Sequence, residues 1–182
     1  MAKLVSKTYG EALFDLAMEE GTLDATAKEA EVVLEVIADN PELSKLLNHP
    51  KIVKEEKVTI VENAFKEFLS DTFLGFLTLV VQKDRYNEIQ QILQYFLGLV
   101  REEKKIGVAK VTSAISLSDA QKQQICNKLL ETTDYVTFEM HYEVDASLIG
   151  GLVIRVGDKV VDSSIRNRIN NMAKSLSKIQ LS

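Results

Sequence analysis

The sequence predicts an α+β fold in two parts: an N-terminal six-helix bundle, then a small α/β domain with a β-hairpin and a terminal helix. Three observations predict it. Up to about residue 105, apolar residues recur only at helical spacing. Near Gly107 the period changes to two, the spacing of a strand with one covered face. Residues 148–158 then read Leu-Ile-Gly-Gly-Leu-Val-Ile-Arg-Val-Gly-Asp and run on through Lys-Val-Val-Asp into a last helical pattern. The predicted domains are therefore 1–105 and 106–182.

The first helix carries Val5, Tyr9, Ala12, Leu13 and Leu16 on one stripe, and Gly21 ends it. Ala30, Val33, Leu34 and Ile37 form the second. Asn40-Pro41 restarts the chain, and Leu43, Leu46 and Leu47 make a short helix closed by His49-Pro50. Val61, Ala64, Phe65, Phe68 and Leu69 predict the fourth. From Ser70 to about Gln82 the chain is apolar nearly all round, with Phe73, Leu74, Phe76, Leu77, Leu79, Val80 and Val81. Such a helix sits inside a bundle or against a partner. Ile89, Ile92, Leu93, Phe96 and Val100 make the sixth.

Beyond Gly107, residues 108–117 read as a strand. Ser118 and Gln121 form a capping box that opens a helix through Leu130. Val136, Phe138, Met140, Tyr142 and Val144 alternate with polar residues, which predicts a strand with one buried face. The hairpin turns at Gly157-Asp158, where Gly157 can take the positive φ such turns demand. Gly150-Gly151 predicts a bulge or a close backbone approach. A helix from about Ser164 puts Ile165, Ile169, Met172 and Leu176 on one face.

Composition narrows the function. The 182 residues are 46% hydrophobic, enough for a core, and carry a net charge of −5. A nucleic-acid binder usually shows a basic footprint that neutralises phosphates, so none is expected as a partner. Cys126 is the only cysteine, which rules out an intrachain disulfide. Its place beside Ile125 and Leu129 suggests buried packing. The N-terminal stretch lacks the apolar centre of a secretory signal. The longest apolar run, 73–81, falls far short of the roughly 20 residues that cross a bilayer.

Catalytic patterns are missing. Gly151 to Lys159 lacks the spacing of a phosphate-binding loop and the hydroxyl residue that would follow its lysine. His141 lies between Glu139 and Glu143 on the polar side of a predicted strand, and a solvated face explains it more simply than a metal site. No cofactor or metal is expected. The pattern favours a protein whose work is binding.

Residues 148–158, with the segment that follows, resemble the C-terminal signature of the delta subunit of the F-type ATP synthase, the oligomycin-sensitivity-conferring protein family. Residues 9–17, Tyr-Gly-Glu-Ala-Leu-Phe-Asp-Leu-Ala, look like that family's opening helix. Residues 79–85, Leu-Val-Val-Gln-Lys-Asp-Arg, followed by Ile89 and Tyr95, are similar to the end of its fifth helix and the start of its sixth. The family more often has glycine where this chain has Asp84.

The resemblance implies a non-catalytic stator subunit of a proton-translocating complex. It would join the catalytic head to the peripheral stalk, so that rotation is coupled to ATP synthesis. The bundle would receive N-terminal helices of the alpha subunits, and the C-terminal domain would meet the b subunits. It would act as a monomer within a hetero-oligomer, peripheral to the cytoplasmic face of a bacterial cell membrane. The first and fifth helices are the candidate walls of an alpha-binding groove, with Tyr9, Ala12, Leu13, Leu16, Phe73, Phe76, Leu77 and Val80 as candidates. The alternative for these residues is bundle core. Gly150, Gly151, Arg155, Gly157 and Asp158 would give the C-terminal motif its shape. Two other readings stand beside this one: an unrelated helical adaptor, and a small metal-dependent enzyme around His141.

Overall fold

The computed structural model describes the backbone over residues 2–47 and 52–179, and the side chains of these up to Met172 apart from residues 2, 3, 44 and 45. The expected closure at His49-Pro50 lies outside the described residues, as does the side chain of Leu176. The chain divides into two compact units, Met1–Val100 and Arg101–Ser182.

The first unit holds α1 (Ala2–Glu19), α2 (Leu23–Asp39), α3 (Pro41–Leu47), α4 (Lys54–Phe65), α5 (Asp71–Gln82), a 3₁₀ turn at Tyr86–Glu88, and most of α6 (Ile89–Glu103). Their apolar stripes converge on one cluster. Leu13, Ala30, Val33, Phe73, Leu77, Val80, Val81, Ile92, Leu93 and Phe96 have almost no exposed surface. These helices form because each buries one stripe against the others, and packing rather than propensity supplies most of their stability. Polar ties fix the seams. The Glu29 carboxylate of α2 accepts from the Ser70 N–H at 2.9 Å and the Ser70 hydroxyl at 2.9 Å. The Ser70 Oγ in turn caps α5 by accepting from the Phe73 N–H at 3.3 Å.

Two details of this unit differ from the sequence reading. Helix α4 stops at Phe65, because the Phe68 and Leu69 amides both turn back to the Phe65 carbonyl. That tight turn breaks the stripe. Leu69 still reaches the core, but Phe68 swings out to 69% exposure, and Ala64 is exposed as well. The second detail explains a departure in the sequence. Asp84 has φ +55, and aspartate's short polar side chain is among the few that visit this left-handed region. A glycine preference at this position follows directly. Asp84 also pairs with Lys54 at 2.5 Å.

The second unit is a four-stranded mixed sheet with two helices. Strands β1 (Ile106–Ser113), β2 (Thr137–Val144), β3 (Leu152–Val156) and β4 (Lys159–Asp162) lie in the order β2-β1-β3-β4. β1 and β2 are parallel, joined through helix α7 (Asp119–Thr132), as a parallel pair requires a crossover. The β1–β3 and β3–β4 pairs are antiparallel. Helix α8 (Ile165–Ile179) closes the unit. The capping box is present as expected: the Ser118 Oγ accepts from the Gln121 N–H at 3.3 Å, and the Gln121 Oε1 accepts from the Ser118 N–H at 2.9 Å.

This unit is thinly covered. Its fully buried apolar side chains among the described residues are Ala109, Val111 and Leu148. β1 ends at Ser113 rather than at residue 117, because the Ser113 hydroxyl donates to the Ile115 carbonyl at 2.7 Å and bends the chain. β2 has no buried face in the strict sense. Phe138, Met140 and Tyr142 are half-buried under α7, while Val136 and Val144 are exposed. An edge strand with one covering helix has no second layer to cover its ends. Where α7 does cover it, burial pushes the Tyr142 phenol above its ordinary pKa, helped by the nearby Cys126 and opposed by Lys122. Cys126 itself is half-buried, not buried.

Candidate functional site

In the helical unit, α1, α2 and the start of α5 enclose a groove of about 110 Å³. Its apolar lining is Leu13, Leu16, Ala17 and Phe73. Glu20 and Glu29 lie at its polar side with Thr22, Thr26 and Ser70. Short side chains on the first half of α2 leave this space open.

The residues expected on the first and fifth helices separate into three groups. Leu13, Phe73, Leu77 and Val80 belong to the core, and of these Leu13 and Phe73 also face the groove. Tyr9 and Phe76 are half-buried and packed against the same cluster, with the Phe76 ring 6.2 Å from that of Phe73. Ala12 and Leu16 are exposed, and Leu16 lines the groove. The sequence reading missed the α2 wall. Its signal was the run Thr22, Ala25, Thr26, Glu29, small and polar residues on the same side of α2 as the buried Val33.

In the sheet unit, a larger groove of about 580 Å³ runs between α7 and the segment that leads into β3. Ile115, Leu117, Ile125, Leu129, Ile149 and Leu152 give it an apolar lining. Beyond it, Ile165, Ile169 and Met172 form the expected stripe on α8, and all three are exposed.

The glycine motif holds α8 in place. Gly151 has φ +80, and a Cβ there would stand 2.5 Å from the Ser163 carbonyl oxygen. A Cβ on Gly150 would meet Ile165 at 2.7 Å. This closeness lets the Gly150 carbonyl accept from the Ile165 N–H at 3.0 Å and the Leu152 carbonyl accept from the Ser163 N–H at 2.9 Å. The buried Ser164 caps α8 by accepting from the Asn167 N–H at 3.1 Å. The Ser164 N–H donates to the Asp162 carboxylate at 2.9 Å, which holds that carboxyl below the ordinary aspartate range. Gly157 has φ +56 with open space around it, and Asp158 is the exposed second turn residue. Arg155 is exposed on β3, in register with Lys110.

The carboxylates beside His141 are engaged elsewhere. Glu139 accepts from Arg101 at 3.0 Å, and Glu143 pairs with Lys110 at 2.7 Å. Among the described residues, no group of three potential ligands could hold a metal ion, and no helix is long and apolar enough to cross a membrane.

The comparisons with known proteins agree with one another. A family model of the ATP synthase delta (OSCP) subunit matches residues 5–176. The ATP synthase subunit delta of Lachnoclostridium phytofermentans is 59% identical over 100% of both chains. That of Desulforamulus reducens is 37% identical over 94% of each. A chain in the structure of the Toxoplasma gondii mitochondrial ATP synthase hexamer has a TM-score of 0.74 at 20% identity, covering 94% of this chain and 96% of its own, which shows a shared fold. The chain thus belongs to the ATP synthase delta (OSCP) subunit family, the non-catalytic stator component that links the F1 head to the peripheral stalk.

Proposed function

We propose that the two units divide the linking task. A six-helix bundle over residues 1–105 receives the N-terminal helices of the alpha subunits. An α/β domain over 106–182 takes the b subunits of the peripheral stalk. The observation that carries this is an open, apolar-lined groove on each unit, between α1, α2 and α5 in one and beside α7 in the other. An amphipathic helix laid into such a groove buries its apolar face without rearranging the host. The α1–α2–α5 groove suits the alpha helix, with Leu16 as its exposed apolar contact and Leu13 and Phe73 as its floor. The α7 groove and the α8 stripe suit the stalk. Two such contacts on one chain hold more tightly than either alone, through effective concentration. The subunit works as a monomer in the complex, peripheral to the cytoplasmic face of the bacterial membrane.

The test uses the full chain with Leu16→Asp and, separately, Ile169→Asp. Both positions are exposed, so both variants should fold. Leu16→Asp should lower affinity for an alpha N-terminal peptide by about tenfold or more, since apolar anchors dominate such interfaces. Stalk binding should hold. Ile169→Asp should do the reverse. In reconstituted vesicles either variant should leave ATP hydrolysis running while coupled proton pumping falls. Unchanged peptide affinity in the Leu16→Asp chain would refute the groove assignment.

A further inference from the structure

Charge is divided between the units. Residues 1–100 carry 17 acidic and 10 basic side chains, a net −7, whereas residues 101–182 carry 10 acidic and 12 basic, a net +2. The excess is concentrated further. Helices α1 and α2 together hold 8 acidic residues against Lys3, Lys7 and Lys28, and Glu20 follows directly after α1. These two helices are walls of the alpha-side groove. Helix α8, on the other unit, has Arg166, Arg168, Lys174 and Lys178 and no acidic residue at all.

Glu20 occupies the critical position. It follows the last residue of α1, and its N–H donates to the Leu16 carbonyl at 3.0 Å. A carboxylate there faces the negative end of the helix dipole, and the last turn of α1 has no basic residue to offset it. The helix would be more stable with a lysine. The other groove carboxylate, Glu29, is already bound by the Ser70 N–H and hydroxyl at the positive end of α5. Glu20, which pairs with no cation among the described residues, therefore contributes a negative charge beside the apolar floor of Leu13, Leu16, Ala17 and Phe73. A charge kept where it weakens its own helix calls for a use elsewhere.

We infer that Glu20 is a specificity determinant of the groove, which selects an amphipathic helix whose apolar face is flanked by lysine or arginine. This rests on the groove assignment above and adds to it the sign of the partner's charge. The opposite sign of α8 turns the same helix away from the second unit, since like charges brought together oppose docking. The two partners are then sorted by charge before any close packing occurs.

The experiment titrates the full chain with two synthetic peptides: the alpha-subunit N-terminal segment, and the same segment with every lysine and arginine replaced by glutamine. The chains are the unaltered protein, Glu20→Gln, Glu20→Lys, and Glu62→Gln on α4 as a distant control. The expected losses of affinity are about two- to fivefold for Glu20→Gln and about tenfold for Glu20→Lys, with no change for Glu62→Gln. Association of the native peptide should slow about tenfold between low and high salt, and that of the neutral peptide should not. Glu20→Lys should also raise the melting temperature, so stability and affinity move in opposite directions. A general structural role for Glu20 would move them together. If the native peptide binds equally well at all salts and to all chains, the charge selection is wrong and the groove assignment survives. If no chain binds it, the groove assignment fails, and the charge selection with it.

Discussion

The two units solve different problems with similar lengths of chain. Of the buried apolar side chains among the described residues, 18 lie in the helical unit's single cluster. The sheet unit has three, Ala109, Val111 and Leu148. The helical unit has enough interior to hold its own shape and presents its groove as a surface detail. The sheet unit leaves Ile115, Val136, Ile149, Val161 and Met172 more than 60% exposed. Scattered apolar residues on a surface are ordinary, but Ile115 and Ile149 line one groove and Met172 stands on one helix face with Ile165 and Ile169, which marks a surface that works when covered. Self-sufficiency belongs to the helical unit, and dependence on a neighbour to the sheet unit.

The sharpest way to break this comparison is to empty the larger core. Phe96→Ala should cost about 3–5 kcal/mol, the usual range for a fully buried phenylalanine. Amide exchange should accelerate throughout α1–α6 while β1 and β3 keep their protection. Equal loss in both units would mean that they fold as one.

A smaller effect is expected in the sheet unit, at its glycines. Gly151→Ala combines positive φ with the Ser163 oxygen, and should cost on the order of 1–3 kcal/mol. Gly157→Ala has the φ without the obstruction and should cost less, and Gly157→Asn should be nearly neutral. Thermal melts of the three variants rank them. If Gly157→Ala proves the more damaging, the closeness at Gly151 is not what holds α8.

Asp84→Gly tests the helical unit on a finer scale. It relieves the backbone at φ +55 and removes the pair with Lys54. An exposed pair contributes at most about 1 kcal/mol, and the relief is of similar size. Urea titration should place the variant within about 1 kcal/mol of the unaltered chain. A larger loss would show that the Lys54 pair dominates.

The gentlest probe is acid. Asp145 and Asp162 sit below the ordinary aspartate value of 3.8, mainly through hydrogen bonds from Ser147 and Ser164. Lowered values mean that their contribution is present above that pH and is lost as pH falls through the still lower folded values. The protection of the Ser147 and Ser164 amides, taken relative to the intrinsic exchange rate at each pH, should therefore fall only below about pH 4. Asp145→Asn and Asp162→Asn should flatten that dependence.

Much of this was legible in the sequence, and the residues show why. Ser118 with Gln121, and Gly157 with Asp158, are local devices whose partners lie within a few positions, so the chain spells them out. The helical stripes were readable because each is covered. What escaped depended on who covers what. Periodicity put Phe68 on a stripe but could not see the turn at Phe65. It gave β2 an inward face but could not count the layers above it. It offered α1 and α5 as walls of a groove, yet the open space comes from the short side chains of α2.

A stator part works under tension, and the sheet's strand order bears on that. The chain enters the sheet at Ile106, the first residue of β1, which is bonded to β2 along its whole length and to β3 from Ala109 to Ser113. Pull applied along such a strand is shared by both ladders, and they must shear together for it to slide. The chain leaves the sheet through β4, an edge strand held on one side by four residue pairs, which could be peeled open one pair at a time. The bonds from Ser163 and Ile165 to Leu152 and Gly150 lie just past that strand. They act as a clamp at the edge of the sheet through which the chain leaves.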